Sequence, residues 1–278
     1  MKLRIGLSPC PNDTFLLHAL LHGLVATKGV TFEPVIEDVE ALNARLLAGD
    51  LPVTKASFAA FARARDRYAA CRTGAALGRG AGPLVVAPRP LAAHDLGDRK
   101  VLLPGENTTA ALLFRTFHPE VTDTVHLRYD LHLAALARGE ADAAVVIHEL
   151  RFTCRERGLH VVEDLGLRWE GTTRLPLPLG GLFVRRDVDA ALARKLERWI
   201  GASLAYAREH PEASREFVRR HAQELSDGVT AQHIGLYVNE FSAALGAEGE
   251  KAVRRLLVLA ERTGAAAASK RGFLVGDA

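Results

Sequence analysis

Ala143-Ala144-Val145-Val146-Ile147-His148-Glu149-Leu150-Arg151 is the stretch around which the chain is organised. Its five apolar residues, three of them β-branched, read as a short strand buried on both faces, as in the interior of a parallel sheet. His148 stands where that strand gives way to a loop or helix. In open α/β sheets, ligands occupy the crevice beyond the strand C-termini. An imidazole placed there can accept a proton near neutral pH, its ordinary pKa being about 6.5. A lone strand-end histidine is more often hydrogen-bonded to backbone than chemically active. Here, three other polar stretches end strands in the same way.

Towards the N-terminus, residues 2–8 read as a first strand, stopped by Pro9-Cys10-Pro11-Asn12-Asp13. Asp13 is expected to cap a helix over 14–24. Residues 30–37 alternate with period two and carry Pro34, which suits an edge strand. Asp38 should cap the next helix, Val39–Ala48, with Gly49 ending it in the left-handed conformation. A third strand is read over 51–54, then Ser57 as the N-cap of a helix over 58–67. Strands over 68–73 and 83–87 flank the glycine-rich Gly78-Arg79-Gly80-Ala81-Gly82.

Residues 88–99 are rich in proline, glycine and charge, as a crossover would be. A second α/β unit follows: strand 100–103, helix 108–117, strand 125–129, helix 131–138, the strand 143–147, and a strand over 159–163. The segment 166–181 reads as irregular, with Pro176 and Pro178 marking a second break before a last strand over 182–185. Helices are expected over 188–209, 211–221, 228–241 and 247–263, ahead of a loose, alanine-rich tail. The breaks divide the chain into a discontinuous outer lobe, 1–89 with 180–278, and a middle lobe, 90–179. Two α/β lobes joined by two crossings enclose a ligand cleft that can close by hinge motion. That architecture is type II periplasmic-binding-protein-like.

At 278 residues and 48% hydrophobic, the chain can bury a core without a disulfide or metal staple. Its 36 Lys and Arg against 33 Asp and Glu leave a net charge of only +3, interspersed along the helices, which argues against a nucleic-acid groove. Cys10, Cys71 and Cys154 have neither metal nor redox spacing, as in a protein of a reducing compartment, so a cytoplasmic location is expected. Leu7-Ser8-Pro9-Cys10 superficially looks like a lipoprotein cleavage site, but the apolar run before it is too short for a signal peptide. No apolar run is long enough for a membrane span.

If both lobes face the cleft with their strand ends, four polar stretches converge there. Ser8, Asn12 and Asp13 lie on a loop stiffened by two prolines, Lys55 and Ser57 follow the third strand, Thr108 and Thr109 open a helix after Gly105, and His148 ends the central strand. Three of the four open helices, whose first N–H groups favour a carboxylate or phosphate. Each also has a plainer reading: a stiff turn, a solvated lysine, an ordinary N-cap. Other candidates fail. His18 and His22 share a helix face without the glutamate of a metalloprotease, so no metal site is expected. The glycine-rich stretch lacks the Lys-Ser/Thr ending of a phosphate loop, and no serine elbow occurs. Tyr206, Tyr237 and Phe241 read as core.

Taken together, Ser8-Pro9-Cys10-Pro11-Asn12-Asp13-Thr14-Phe15, Pro52-Val53-Thr54-Lys55-Ala56-Ser57, Gly78-Arg79-Gly80-Ala81-Gly82-Pro83-Leu84, Thr108-Thr109 and Ile147-His148-Glu149 resemble the 1,4-dihydroxy-6-naphthoate synthase family of the futalosine route to menaquinone. The resemblance continues through Leu175-Pro176-Leu177-Pro178-Leu179-Gly180 and Tyr237-Val238-Asn239-Glu240-Phe241-Ser242. Ala56 stands where a larger aliphatic residue is expected. The resemblance implies a lyase that cleaves cyclic dehypoxanthine futalosine to 1,4-dihydroxy-6-naphthoate and releases the remaining sugar carbons. It implies His148 as proton acceptor, and Lys55, Ala56, Ser57, Thr109 and Ala110 as substrate contacts. The partner is then a small-molecule carboxylate, with no nucleic acid and no membrane, and the oligomeric state is left open.

Loss of a proton next to a carbonyl starts carbon–carbon cleavage. Aromatisation supplies driving force, so the chemistry demands no metal or redox cofactor. If His148 is the base, activity should rise with pH through an apparent pKa near that of histidine. Two alternatives remain open: a chorismate dehydratase on the same scaffold, and a small-carboxylate binding protein, which needs a cleft but no base and normally carries an export signal.

Overall fold

In the computed structural model, which describes residues 1–222 and 226–277, the chain builds two sheets. The first contains β1 (Lys2–Leu7), β2 (Thr31–Ile36), β3 (Val53–Ser57), β4 (Tyr68–Ala70) and β5 (Ala76–Gly78). The second contains β6 (Leu84–Ala87), β7 (Val101–Leu103), β8 (Thr124–His126), β9 (Ala143–Val146) and β10 (His160–Asp164), after which β11 (Leu177–Arg185) returns to the first. The orders are β2-β1-β3-β11-β4, with β5 also on β11, and β10-β6-β9-β7-β8. This is the expected α/β arrangement of two lobes with two crossings.

The central strand β9 is buried at every residue and sits between β7, parallel, and β6, antiparallel. In the first sheet, β1 pairs in parallel with β2 and β3, and β11 runs antiparallel to β3. Pro34 lies on the edge strand β2, where its missing N–H interrupts no ladder. Asp38 accepts from the N–H groups of Glu40 and Ala41, and Gly49 closes that helix at φ 76°. Thr108 caps the helix Thr109–Phe117 through Ala111 N–H. Residues Phe61 and Phe183 stack at 4.4 Å, and the buried cluster they belong to continues through Phe114 and Val145, joining both lobes.

Several readings from sequence need correction. The helix expected at residue 14 begins at Pro11, because proline at the first helical position needs no N–H acceptor. Asp13 therefore sits inside the first turn and does not cap it. β3 runs on through Lys55 to Ser57, and the short strand β5 occupies the start of the glycine-rich segment. Sheet membership also divides the chain earlier than the boundaries read at 89/90 and 179/180. Leu84–Ala87 already belongs to the second sheet, and β11 rejoins the first from Leu177.

The segment read as irregular contains a helix, Leu165–Thr173, and most of β11. Gly166, Gly171, Thr172 and Thr173 give that helix poor intrinsic propensity. Tertiary packing overrides it: Leu165 and Trp169 are buried, and Trp169 Nε1 donates to Pro176 O at 3.0 Å. Pro178 is accommodated beside a register shift in the β11–β5 pairing. The tail is also tied down. Ala70 N–H donates to Phe273 O at 2.7 Å, Val275 N–H donates to Ala70 O at 2.9 Å, and Phe273 and Leu274 are buried.

The first crossing meets the helix Leu165–Thr173 where Gly82 and Gly166 touch backbone to backbone. A Cβ on Gly166 would lie 2.6 Å from Gly82 Cα. Gly166→Ala is therefore expected to destabilise the fold by about 1–3 kcal/mol through overpacking, read as a lower midpoint in urea unfolding. An unchanged midpoint would show that the two segments separate freely.

Candidate active site

The residues singled out from sequence meet in one cleft between the lobes. Ser8, Asn12, Asp13, Lys55, Ala56, Ser57, Thr108, Thr109, Ala110 and His148 all line it. The cleft holds about 660 Å³ of atom-free space, its open mouth included.

On the outer-lobe side, the Asp13 carboxylate gathers four donors. Ser8 Oγ donates at 2.7 Å, Ser8 N at 3.2 Å, Asn12 Nδ2 at 2.8 Å and Lys55 Nζ at 2.6 Å. Asp13 and Lys55 are almost completely buried, so their charges neutralise each other inside the protein. Lys55 reaches Asp13 because β3 continues past the point where sequence reading ended it. Asn12 Oδ1 faces His233 Nε2 at 2.9 Å, which carries the network to the helix Asp227–Tyr237. Ser57 N donates to Asn43 Oδ1 at 2.8 Å, and Ala56 is fully buried opposite Gly181. Gly180 is needed beside it, since a Cβ there would meet Ala56 O at 2.7 Å.

On the middle-lobe side, the Thr108 hydroxyl donates to Gly105 O at 3.0 Å and accepts from Ala111 N. The Thr109 hydroxyl donates to Leu179 O at 2.8 Å and accepts from Ala59 N at 3.3 Å. Both hydroxyls are thus engaged by the protein. What this helix start can offer a ligand is its first N–H groups, at Thr109 and Ala110, which have no acceptor within the helix. The lobes are clasped beside it: Asn107 Nδ2 donates to Glu40 Oε1 at 2.7 Å, and Arg63 donates to Asn107 Oδ1.

His148 follows β9 with φ 55°, in the left-handed region that non-glycine residues rarely adopt. Such strain persists only where the surroundings impose it, often at functional sites. Its Nδ1 lies 3.3 Å from Cys10 Sγ, and its ring centroid lies 4.7 Å from that of Tyr129 and 6.3 Å from that of His233. Burial pushes the His148 pKa down to about 4, against the opposing pull of Asp13 and Asp38. The same cause holds His233 well below the ordinary histidine value, with His148 and Lys55 adding to it. Cys10, buried and near Glu149 and Asp13, is raised well above the usual thiol range and stays protonated. Two imidazoles whose charged forms burial disfavours therefore line the cleft, with a protonated thiol against one of them.

This corrects the expectation of a titration near pH 6.5. A histidine lowered in the fold is neutral there while the unfolded chain is already taking up a proton. Its stabilising contribution is complete above about pH 6.5 and is lost as pH falls towards 4. Urea unfolding midpoints are expected to fall across that window; a flat profile would mean that His148 titrates as in the unfolded chain.

Cys10, Tyr129, His233 and Tyr237 were not read as site residues. The sequence offers Cys10 through its spacing from the other cysteines, its likeness to an export site and its place in the Ser8–Phe15 stretch, and Pro9 and Pro11 on either side mark its backbone as constrained. Tyr237 is indeed buried, but it also lines the cleft, its hydroxyl donating to Ala81 O at 3.1 Å. Among the described residues, no group of three or more His, Cys, Asp or Glu is arranged to hold a metal ion, and no helix is long and apolar enough to cross a membrane.

A 1,4-dihydroxy-6-naphthoate synthase from Thermus thermophilus is 51% identical over 273 residues, 98% of this chain and 99% of that protein. A protein of the same name from Streptomyces coelicolor is 42% identical over 267 residues, 94% of each chain. The alkanesulfonate-binding protein from Xanthomonas axonopodis matches with a TM-score of 0.71 over 95% of this chain and 93% of that one, at 15% identity, a likeness of fold alone. The fold is thus periplasmic-binding-protein-like. A family model described as menaquinone biosynthesis matches residues 3–262, and by that match and its full-length relatives the chain belongs to the menaquinone biosynthesis family.

Proposed function

We propose that this chain is a carbon–carbon lyase that converts cyclic dehypoxanthine futalosine to 1,4-dihydroxy-6-naphthoate, with His148 as the general base. The observation that carries the reading is His148 at the end of β9, lining a cleft that the N-terminus of the helix Thr109–Phe117 also lines, with burial disfavouring its charged form. In the tautomer whose Nδ1–H faces Cys10 Sγ, Nε2 keeps its lone pair for a proton next to a substrate carbonyl. The naphthoate carboxylate is assigned to the N–H groups of Thr109 and Ala110, where the helix dipole favours negative charge. Lys55 is already held by Asp13, so its task is to shape the cleft beside Ala56 and Ser57 rather than to supply a free cation. A cytoplasmic location goes with this reading.

Purified protein mixed with the cyclic substrate should release a naphthoate absorbance. No naphthoate signal, with chorismate consumed instead, would assign the cleft to a dehydratase. Binding of carboxylates without turnover of either substrate would leave a binding protein. The base must be neutral to accept a proton, and burial keeps it neutral down to about pH 4. The rate constant kcat/KM is therefore expected to stay level from pH 7 down to about 5 and to fall below that. An acid limb centred near pH 6.5 would speak against His148 in this environment.

A further inference from the structure

The proton transfer assigned to His148 leaves the other histidine of the cleft, the buried His233, without a task. Its protonation is fixed by a chain of donors and acceptors. The Asp13 carboxylate can only accept, so Asn12 must turn Nδ2 towards it and Oδ1 away. Oδ1 is an acceptor too, and it faces His233 Nε2 at 2.9 Å, so Nε2 carries the proton. His233 is 1% exposed, and burial keeps its ring neutral. Nδ1 therefore holds a lone pair and no proton. Among the described residues this buried nitrogen has no hydrogen-bond partner, although the ring itself lines the cleft between His148 and Tyr237. Buried acceptors are nearly always satisfied, and the His233 ring lines the cleft into which a ligand donor would enter.

We propose that His233 Nδ1 accepts a hydrogen bond from a phenolic or enolic hydroxyl of the ligand, which makes His233 a specificity-determining residue for hydroxylated bicyclic carboxylates. The inference rests on the lyase reading of the same cleft. The lone pair also discriminates against a ligand acceptor at that position, since two lone pairs repel. Asn12 and Asp13 then act behind it, holding the tautomer that presents the acceptor.

Two substitutions separate the two nitrogens. Glutamine at 233 places its amide near the Nε2 position, where it can still donate to Asn12, but removes the acceptor at Nδ1. Asparagine places an oxygen near Nδ1 and gives up the Asn12 contact. Affinities for 1,4-dihydroxy-6-naphthoate and for 2-naphthoate, which lacks the hydroxyls, are measured anaerobically by calorimetry. Wild type should prefer the dihydroxy acid. His233→Gln should lose about fivefold to tenfold of that preference while its 2-naphthoate affinity stays within twofold. His233→Asn should keep most of the preference. An unchanged preference in His233→Gln overturns the assignment while leaving the lyase reading intact; wild type that binds neither acid overturns both. On the wild-type protein, the ¹⁵N resonance of His233 Nδ1 should move on adding the dihydroxy acid and not on adding 2-naphthoate. A resonance that ignores both ligands at saturation also overturns it.

Discussion

Replacing His148 with asparagine is expected to lower turnover by about 10²–10⁴, the usual contribution of positioned proton transfer, while ligand affinity stays within a few-fold of wild type. The separation follows from where the two tasks sit. The carboxylate is assigned to the start of the helix Thr109–Phe117, whereas His148 stands at the end of β9 on a different segment. Asparagine is a better probe than alanine for a conformational reason as well. Position 148 has φ 55°, which asparagine tolerates and alanine does not, so His148→Asn removes basicity without adding backbone strain. Single-turnover rates and the calorimetric affinity for product, taken on the same preparation, check both halves. Near-full turnover would make His148 structural. Asp13 and Lys55 are then poor substitutes, being bound to each other, and Glu149, buried on the next residue, becomes the candidate base.

The elements that could be read from sequence are those whose cause is local. β9 announces itself by an unbroken apolar run, and the helix Val39–Ala48 by Asp38 before it and Gly49 after it. Thr108 and His148 were legible for the same reason, since a strand end followed by a cap is a short-range pattern. Where distant backbone decides, the reading failed. The helix Leu165–Thr173 owes its place to Gly82 and Trp169, and the tail is held by Ala70, some two hundred positions away. The start of the first helix was within reach, because Pro11 is a better start signal than Asp13 is a cap. His233 was not. It lies 221 positions from Asn12, ahead of the Tyr237–Ser242 stretch and outside it, and only the folded chain shows that its ring is a wall of the cleft.

Removing the Lys55 ammonium should have the largest effect on stability. Lys55→Met is expected to cost about 3–5 kcal/mol, because breaking one partner of a buried ion pair strands the other charge. The side chains of Lys55 and Asp13 are only 8% and 4% exposed, so water does little to screen what remains. Ser8 and Asn12 would still donate to the Asp13 carboxylate, but neutral donors do not balance its charge. The second substitution decides whether the charge is responsible. Asp13→Asn on top of Lys55→Met removes the stranded carboxylate, so the double variant should be more stable than the sum of the single losses allows, with a coupling of about 2 kcal/mol or more. Urea unfolding at pH 7 on the four proteins of this cycle measures it. Additive losses would mean that the two residues act through packing alone. A strong coupling has a consequence for the site as well: Asp13 is the group that forces the Asn12 amide to face one way, so a protein that has lost that charge should also lose the fixed tautomer of His233.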